Sequence, residues 1–321
     1  MQAYMLKRLL LFVPTLILAS MMIFGIMRVL PGDVALAILI TGEGESQDII
    51  TEEDIQRIRD QLGLGDPLVV QYVKWVRGLV TGDLGNSLFN NRAVSTMIAE
   101  RLPITLHLMV YTVTLSLVVS IPLGVIAALK QNKWPDYLIR LTSILGLAAP
   151  NFWIGMLIIL FLVLVFRWVP EPIYEDVWVN PITNISILIW PVIVLNWRFS
   201  SYQARVMRAN LLEVLRMDYV RTAHSKGLSP RMVVTRHAVR NALLPVITLL
   251  GSEVAVLLGG TVILENVFNL SGIGQALIQG MQQRDYPIVQ ALAMMFMAFT
   301  LTANLIVDLL YAVLNPRIRY T

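Results

Sequence analysis

No cysteine occurs among the 321 residues, which excludes a disulfide framework and any thiolate metal site. Charge is also scarce. Asp, Glu, Lys and Arg make up 14% of the chain and hydrophobic residues 56%, whereas ordinary globular domains carry about 25% charged residues. No long basic tail or aromatic–basic stripe stands outside the connector loops, so nucleic acid is not an expected partner. No GxxxxGK[ST] phosphate loop is present, so the chain lacks a Walker-type means of hydrolysing ATP by itself. These shortages place it among membrane proteins.

What it has is long apolar runs. A span needs about 20 mostly apolar residues. Leu9 to Val29 qualifies, with Arg28 near its end. Ile104 to Leu129 and Leu141 to Phe166 carry no charged residue. Ile182 to Tyr202 is apolar until Arg198, Ala242 to Leu264 contains Glu253, and Ile288 to Leu314 contains Asp308. The runs are continuous rather than alternating, so the fold expected is an all-α membrane protein with six transmembrane helices. The first run could also be a cleaved signal peptide, given its Lys-Arg start. Its apolar stretch exceeds the 7–15 residues of a typical signal core, and a membrane helix is the better reading.

Lysine and arginine set the orientation. Lys7, Arg8, Lys130, Lys133, Arg140, eight bases from Arg205 to Arg240, Arg317 and Arg319 collect on one side. Glu171, Glu175, Asp176 and the net acidic stretch from Pro31 to Pro103 lie on the other. Both termini are therefore expected in the cytoplasm. The chain divides into a tail and first helix (1–30), an extracytoplasmic helical loop domain (31–103) and a transmembrane core (104–321). The core carries a cytoplasmic connector at about 205–241.

The outer loop has helix signals. Thr51 and Asp54 make a capping-box-like start, and Ile55, Ile58 and Leu62 recur on one face before Gly63. Asp66 and Pro67 open a second helix whose apolar side is Val69, Tyr72, Val73, Val76 and Val80, ending near Gly82. Such a domain either caps the bundle's rim or receives a delivered solute or its carrier.

The connector is polar and basic between two spans, so it must lie in water. Arg205 to Ser225 reads as a helix continuing out of the fourth span, with Leu212, Leu215, Tyr219 and Thr222 on one face. Gly227 suits the left-handed conformation that ends a helix. Ser229 and Pro230 open another helix, and Pro245 enters the fifth span. A solvated basic loop obeying the positive-inside rule would explain the charge, but not the cap signals and the glycine. A basic helix there also attracts anionic lipid.

This helix–glycine–helix pattern resembles the docking loop of ABC importer permeases. Arg221, Thr222 and Ala223 stand where that family has Glu-Ala-Ala, and Gly227 matches its glycine. The stretches LGLGDPLVVQYVKW, GDLGNSL, APNFWIGM, RWVP, ENVFNLSGIG, RDYP and NPRIR, with Leu30-Pro31-Gly32-Asp33, are similar to the dipeptide/oligopeptide branch. Leu270-Ser271-Gly272 departs from its usual Pro-Gly, and Asn315 from its usual Asp. The resemblance implies a type I ABC importer-like permease in a bacterial or archaeal cell (inner) membrane, without catalysis of its own. It implies a second homologous permease subunit, two cytoplasmic ATPase subunits holding ATP and Mg, and an extracytoplasmic solute-binding protein. It implies that Arg221, Thr222, Ala223, His224, Ser225, Lys226, Gly227 and Leu228 form the ATPase-docking helix. Peptides are the implied cargo; nickel chelates, glutathione and oligosaccharides are carried within the same family.

Charges inside spans are functional candidates by default. Glu253 either lines a translocation path or pairs with Arg198, which could instead snorkel to the boundary. Asn151, Phe152 and Trp153 follow Pro150 at a plausible gate. Pro122 and Pro150 are candidate bends, and Gly259 and Gly260 candidate close-packing points. His107 reads as a packing residue. A proton-coupled secondary transporter using Glu253 and Asp308 is the alternative of another class, but no convincing internal repeat supports it.

Overall fold

A computed structural model describes residues 2–29, 36, 39, 52–61, 64–168 and 174–314. The Leu30-Pro31-Gly32-Asp33 segment, Thr51, Leu62, Gly63, Pro170, Glu171 and the terminal NPRIR lie outside the described residues, as do the side chains of Lys7, Asp54, Ile58 and Asp308. Among the described residues the helices are α1 (Gln2–Val29), α2 (Glu52–Gln61), α3 (Leu68–Thr81), α4 (Val94–Leu129), α5 (Trp134–Ala148), α6 (Asn151–Phe166), α7 (Pro181–Val214), α8 (Asp218–Ser225), α9 (Pro230–Met232), α10 (Val239–Val267), α11 (Ile273–Gln283) and α12 (Tyr286–Leu314). A π-helical turn, Val233–Ala238, joins α9 to α10. The extended pairing among them is one antiparallel bridge, Asn86 to Ala93.

Among the described residues five helices are long and apolar enough to cross a membrane, and a sixth crossing requires α5 and α6 together, bent by 103°. The third span is therefore not the straight run expected from Leu141 to Phe166. Pro150 lacks an N–H and pushes the residue before it out of the helical region. Ala149 and Pro150 accordingly sit extended, at ψ 129° and 133°. Pro122 does not have this effect, because α4 continues through it from Val94 to Leu129. Pro245 lies inside α10 rather than at its entrance. The expected helix from Arg205 to Ser225 is also interrupted: α7 ends at Val214, and Leu215 to Met217 turn before α8 begins. The short helix α11, between the fifth and sixth spans, has no counterpart in the sequence reading.

The chain forms two compact units. One comprises Ile104–Leu270 with Thr302–Thr321. Here α10 packs on α7, and α5 and α6 pack on α7 from elsewhere. The least apolar candidate span, α7, is also the most buried. That pairing is forced, because Asn184, Asn196, Ser200, Ser201 and Gln203 would be costly against lipid. One apolar cluster unites Leu108, Leu188, Leu195, Phe199, Leu257 and Leu264. A second unites Ala128, Met207, Leu211, Val220, Ala223, Val233 and Val246. Asp136, fully buried, takes a two-pronged bond from Arg208 Nε and Nη2 at 2.7 and 2.8 Å and a third from Asn132 N–H. Of the paired glycines, Gly260 faces Leu195, whereas Gly259 has nothing within 4 Å of an added Cβ. Close packing thus applies to Gly260 alone within this chain.

The other unit comprises Gln2–Pro103 with Ser271–Leu301. Pro67 caps α3 from outside rather than occupying its first turn, and Gly82 ends it at φ 79°. The expected apolar side of α3 is packed only in part, through Tyr72 and the half-buried Val76. Val69, Val73 and Val80 are exposed, while Tyr72 and Trp75 meet Phe24 of α1 at centroid distances of 5.5 and 5.9 Å. Tyr72 also shares a 2.7 Å hydrogen bond with Ser20. A third apolar cluster joins Val94 and Met97 to Ile273, Ile288 and Leu292. Beside it Asp285, fully buried, accepts bonds from the Ser87 hydroxyl at 2.5 Å and the Leu88 N–H at 3.2 Å. The GDLGNSL and RDYP stretches thus meet through one carboxylate.

Two outcomes are expected. A Cβ at Gly124 would lie 2.6 Å from Met207 Cβ and 2.8 Å from the Ala204 carbonyl, neither able to give way. Gly124→Ala should cost about 1–3 kcal/mol, while Gly259→Ala should not lower the melting temperature; thermal unfolding in detergent distinguishes them. Burial raises the pKa of Asp285 above its usual 3.8, against the Ser87, Leu88 and Ile288 hydrogen bonds. The folded state then holds this proton longer than the unfolded chain. The associated stability is full below 3.8 and is lost as pH rises through the folded value. Melting temperatures measured upward from pH 4 should decline less steeply in Asp285→Asn than in the natural chain.

Candidate functional site

The candidate docking helix α8 has two faces. Val220 and Ala223 are buried in the second apolar cluster, and Leu228 is half-buried against it. Arg221, Thr222, His224, Ser225, Lys226 and Gly227 are exposed. Ala223 is therefore an anchor and not a contact available to a partner. Tyr219 and Thr222, expected on one face with Leu212 and Leu215, are exposed where those two are half-buried, because the turn at Leu215–Met217 separates α8 from α7. The hydroxyls of Thr222 and Ser225 donate back to the Asp218 and Arg221 carbonyls, which leaves Arg221, His224 and Lys226 as the reaching groups. The Asp218–Arg221 pair is exposed at 3.7 Å and stabilises little.

Gly227 has φ 77° and its N–H bonds the His224 carbonyl at 3.0 Å, a left-handed helix end as the sequence implies. Ser229 Oγ then accepts from Met232 N–H with Pro230 at the first position. From there α9, the π-helical turn and α10 run on as one helix, Pro230–Val267. Asn241 on α10 donates to the Tyr219 hydroxyl of α8 at 2.7 Å. Helix α8 is thus attached through its inner face and through the backbone of a spanning helix.

Glu253 is 9% exposed. Its carboxylate takes Gln203, not Arg198, as hydrogen-bonding partner: Gln203 Nε2 donates to Oε2 at 2.6 Å. Gln203 is fully buried, receives the Ser120 hydroxyl at 2.9 Å and reaches Ser116 at 3.3 Å. One carboxamide therefore joins α4, α7 and α10. Along each helix this polar group lies between the two apolar clusters: Ser116 and Ser120 between Leu108 and Ala128, Gln203 between Phe199 and Met207, Glu253 between Val246 and Leu257. Glu253 also lines a cavity of about 420 Å³, together with Arg198, Phe199, Tyr202 and Arg205. Two guanidinium groups and one carboxylate there suit a molecule bearing both charges.

Asn151, Phe152 and Trp153 do not line this cavity. They open α6 after the break, where Phe152 and Trp153 are exposed and Asn151 approaches Gly260. His107 is a satisfied packing residue, 2.7 Å from the Tyr174 hydroxyl. Sequence reasoning missed Glu265, which lies just beyond the expected span end, is fully buried and accepts from Thr105 at 2.6 Å. It also missed Gln203. The available signal was Thr112, Ser116 and Ser120, spaced by four along α4 and all buried, a polar stripe that needed a partner. Among the described residues no group of three or more His, Cys, Asp or Glu is placed to hold a metal.

Comparison with known proteins places this geometry in context. The model of the binding-protein-dependent transport system inner membrane component matches residues 120–320, and that of the N-terminal part of such membrane components matches residues 1–110. The chain is 38% identical over 323 residues to the oligopeptide transport system permease protein AppB of Bacillus subtilis (strain 168), covering all of both chains. It is 37% identical over 317 residues to the glutathione transport system permease protein GsiC of Escherichia coli (strain K12), covering 99% of each. A crystal structure of an amino acid ABC transporter with histidines shares the fold at a TM-score of 0.53 and 19% identity, covering 68% of this chain and 94% of that one.

Glu253→Gln keeps the size but removes the charge. It is expected to lower solute uptake by vesicles about tenfold, the worth of one charge-assisted hydrogen bond, without lowering the melting temperature. Glu253→Ala leaves Gln203 Nε2 short of its partner and should lower both.

Proposed function

The chain belongs to the family of binding-protein-dependent transport system inner membrane components, and on that footing we propose that it is the permease subunit of an ATP-driven importer of di- and oligopeptides. It forms half of the translocation path. A second homologous permease forms the other half, two cytoplasmic ATPase subunits hold ATP and Mg, and a solute-binding protein delivers the peptide. Residues 31–103 form an extracytoplasmic domain on the delivery side, and residues 104–321 form the core. The relatives named for oligopeptides and glutathione support this cargo class. So does the Glu253 cavity, whose arginines suit a peptide carboxylate and whose acid suits its ammonium.

The observation that carries the reading is α8. A short helix ends at a left-handed glycine, shows Arg221, His224 and Lys226 outward, and is rooted inward by Val220 and Ala223. Such a helix is built to be pushed. An ATPase pair that closes on ATP would move α8, and the buried contacts would pass the displacement to α7 and α10 as a rigid-body change. Arg221 stands where the family has an acid, so its docking contact is of opposite charge, with an acidic patch on the ATPase.

The test is reconstitution of the assembled importer in vesicles with its binding protein. ATP-dependent peptide uptake is expected. Gly227→Val, which meets no neighbour but must hold φ 77°, stores about 1–2 kcal/mol of strain; it should leave ATP hydrolysis intact and cut uptake severalfold. Uptake by this chain alone on a proton gradient, without ATPase, would sink the proposal.

A further inference from the structure

Unpartnered polar groups gather around one cavity where α1 ends. Arg28 lies one position before Val29, the last residue of the apolar run Leu10–Val29. Its guanidinium therefore stands at the water–lipid boundary, where long cations normally emerge. It is held over the rings of Phe24 and Tyr286, 5.2 and 5.3 Å from their centroids. Its buried Nε nevertheless has no hydrogen-bond partner. Gln290 is only 6% exposed, and its Nε2 is likewise unpartnered. Gln71 donates Nε2 to the Leu64 and Asp66 carbonyls at 3.1 and 2.7 Å, which leaves its buried Oε1 with nothing to accept.

All three residues line the same cavity of about 350 Å³, together with Trp75, Tyr286, Asp66 and Lys74. Asp66 is already neutralised by Lys74 at 2.6 Å. Buried polar groups left unmatched are costly, so three at one cavity outline a ligand. Arg28 and Gln290 offer N–H groups to an anion. Gln71 asks for an ammonium or hydroxyl beside it.

Depth selects the class of ligand. Trp75 and Tyr286 line the cavity with Arg28 at the end of a spanning run, the position favoured by interfacial aromatics. Met22, Ile26 and Val29 of α1, and Leu68, Val69 and Val73 of α3, are large apolar residues left exposed in the same unit. We propose that this cavity binds a phospholipid headgroup: the phosphodiester on Arg28 and Gln290, the headgroup ammonium or hydroxyl on Gln71 Oε1, and an acyl chain along the exposed apolar residues of α1. Arginine is suited to the two free oxygens of a phosphodiester because its planar fork can meet both. The site is independent of which solute is carried.

The test uses the assembled importer in nanodiscs of phosphatidylethanolamine, phosphatidylglycerol or phosphatidylcholine. After transfer to mild detergent, retained phospholipid is counted by mass spectrometry. Phosphatidylethanolamine and phosphatidylglycerol should be retained and phosphatidylcholine, which has no headgroup N–H or O–H, much less. Arg28→Gln and Gln290→Leu should each lower retention about tenfold. Gln71→Leu should bring retention of phosphatidylethanolamine and phosphatidylglycerol down to that of phosphatidylcholine while leaving phosphatidylcholine retention unchanged, which separates loss of the headgroup bond from loss of folding. Equal retention in all variants would overturn the proposal. Displacement of the lipid by inorganic phosphate at comparable affinity would reassign the cavity to a soluble anion, and displacement by a tripeptide would reassign it to cargo; either result overturns it.

Discussion

The carboxamide of Gln203 is the interaction on which the larger unit depends. Hydrocarbon supplies no hydrogen bonds, so a polar side chain within a span must find partners on neighbouring helices. Gln203 finds Ser116 and Ser120 on α4 and Glu253 on α10. Those bonds fix which face of α7 is interior and at what height α4 and α10 stand beside it. Apolar contacts alone tolerate sliding, since lipid tails are as apolar as leucine. The apolar clusters above and below supply contact area, and the amide supplies register.

Arg208 and Asp136 perform the same service for α5. A fully buried carboxylate facing a two-pronged guanidinium is weak evidence of net stability, because both charges surrender water. It is strong evidence of a fixed geometry. It sets α5 against the part of α7 that leads into α8, so the segments around α8 are positioned by directional bonds as well as by packing.

What was legible in the sequence was what each segment decides locally or against lipid. Long apolar runs disclosed the spans, because lipid imposes a composition regardless of which helix is adjacent. Gly227, Ser229 and Pro230 disclosed the helix end and restart, because caps are short-range chemistry. The turn at Leu215–Met217 was hidden: Leu215 fits the helical period, and the chain bends there because Val220 and Ala223 gain burial beside Val233 and Ala238. The packed side of α3 was legible only in part for a similar reason. Tyr72 packs as its stripe implies, yet Val69, Val73 and Val80 stay exposed while Phe24 takes Trp75 beside it. Glu253 announced itself as a charge among apolar residues, whereas Gln203, uncharged and near the end of its run, did not. Pairings such as Ser87 with Asp285 or Thr105 with Glu265 join residues more than a hundred positions apart, and no local pattern encodes them.

The placement of the polar group also bears on motion. On α4, α7 and α10 alike, it separates one apolar cluster from the other. The cluster on the α8 side contains Val220, Ala223 and Val233, so a displacement of α8 is delivered there first. Close-packed apolar clusters move as bodies rather than deform. Relative movement between the two is therefore accommodated in the layer between them, where hydrogen bonds can exchange partners with little change in packed volume. Glu253 stands in that layer and opens on the arginine-lined cavity. A change of partner at Gln203 would release the Glu253 carboxylate toward that cavity, so the joint between the two clusters and the lining of the cavity share one residue.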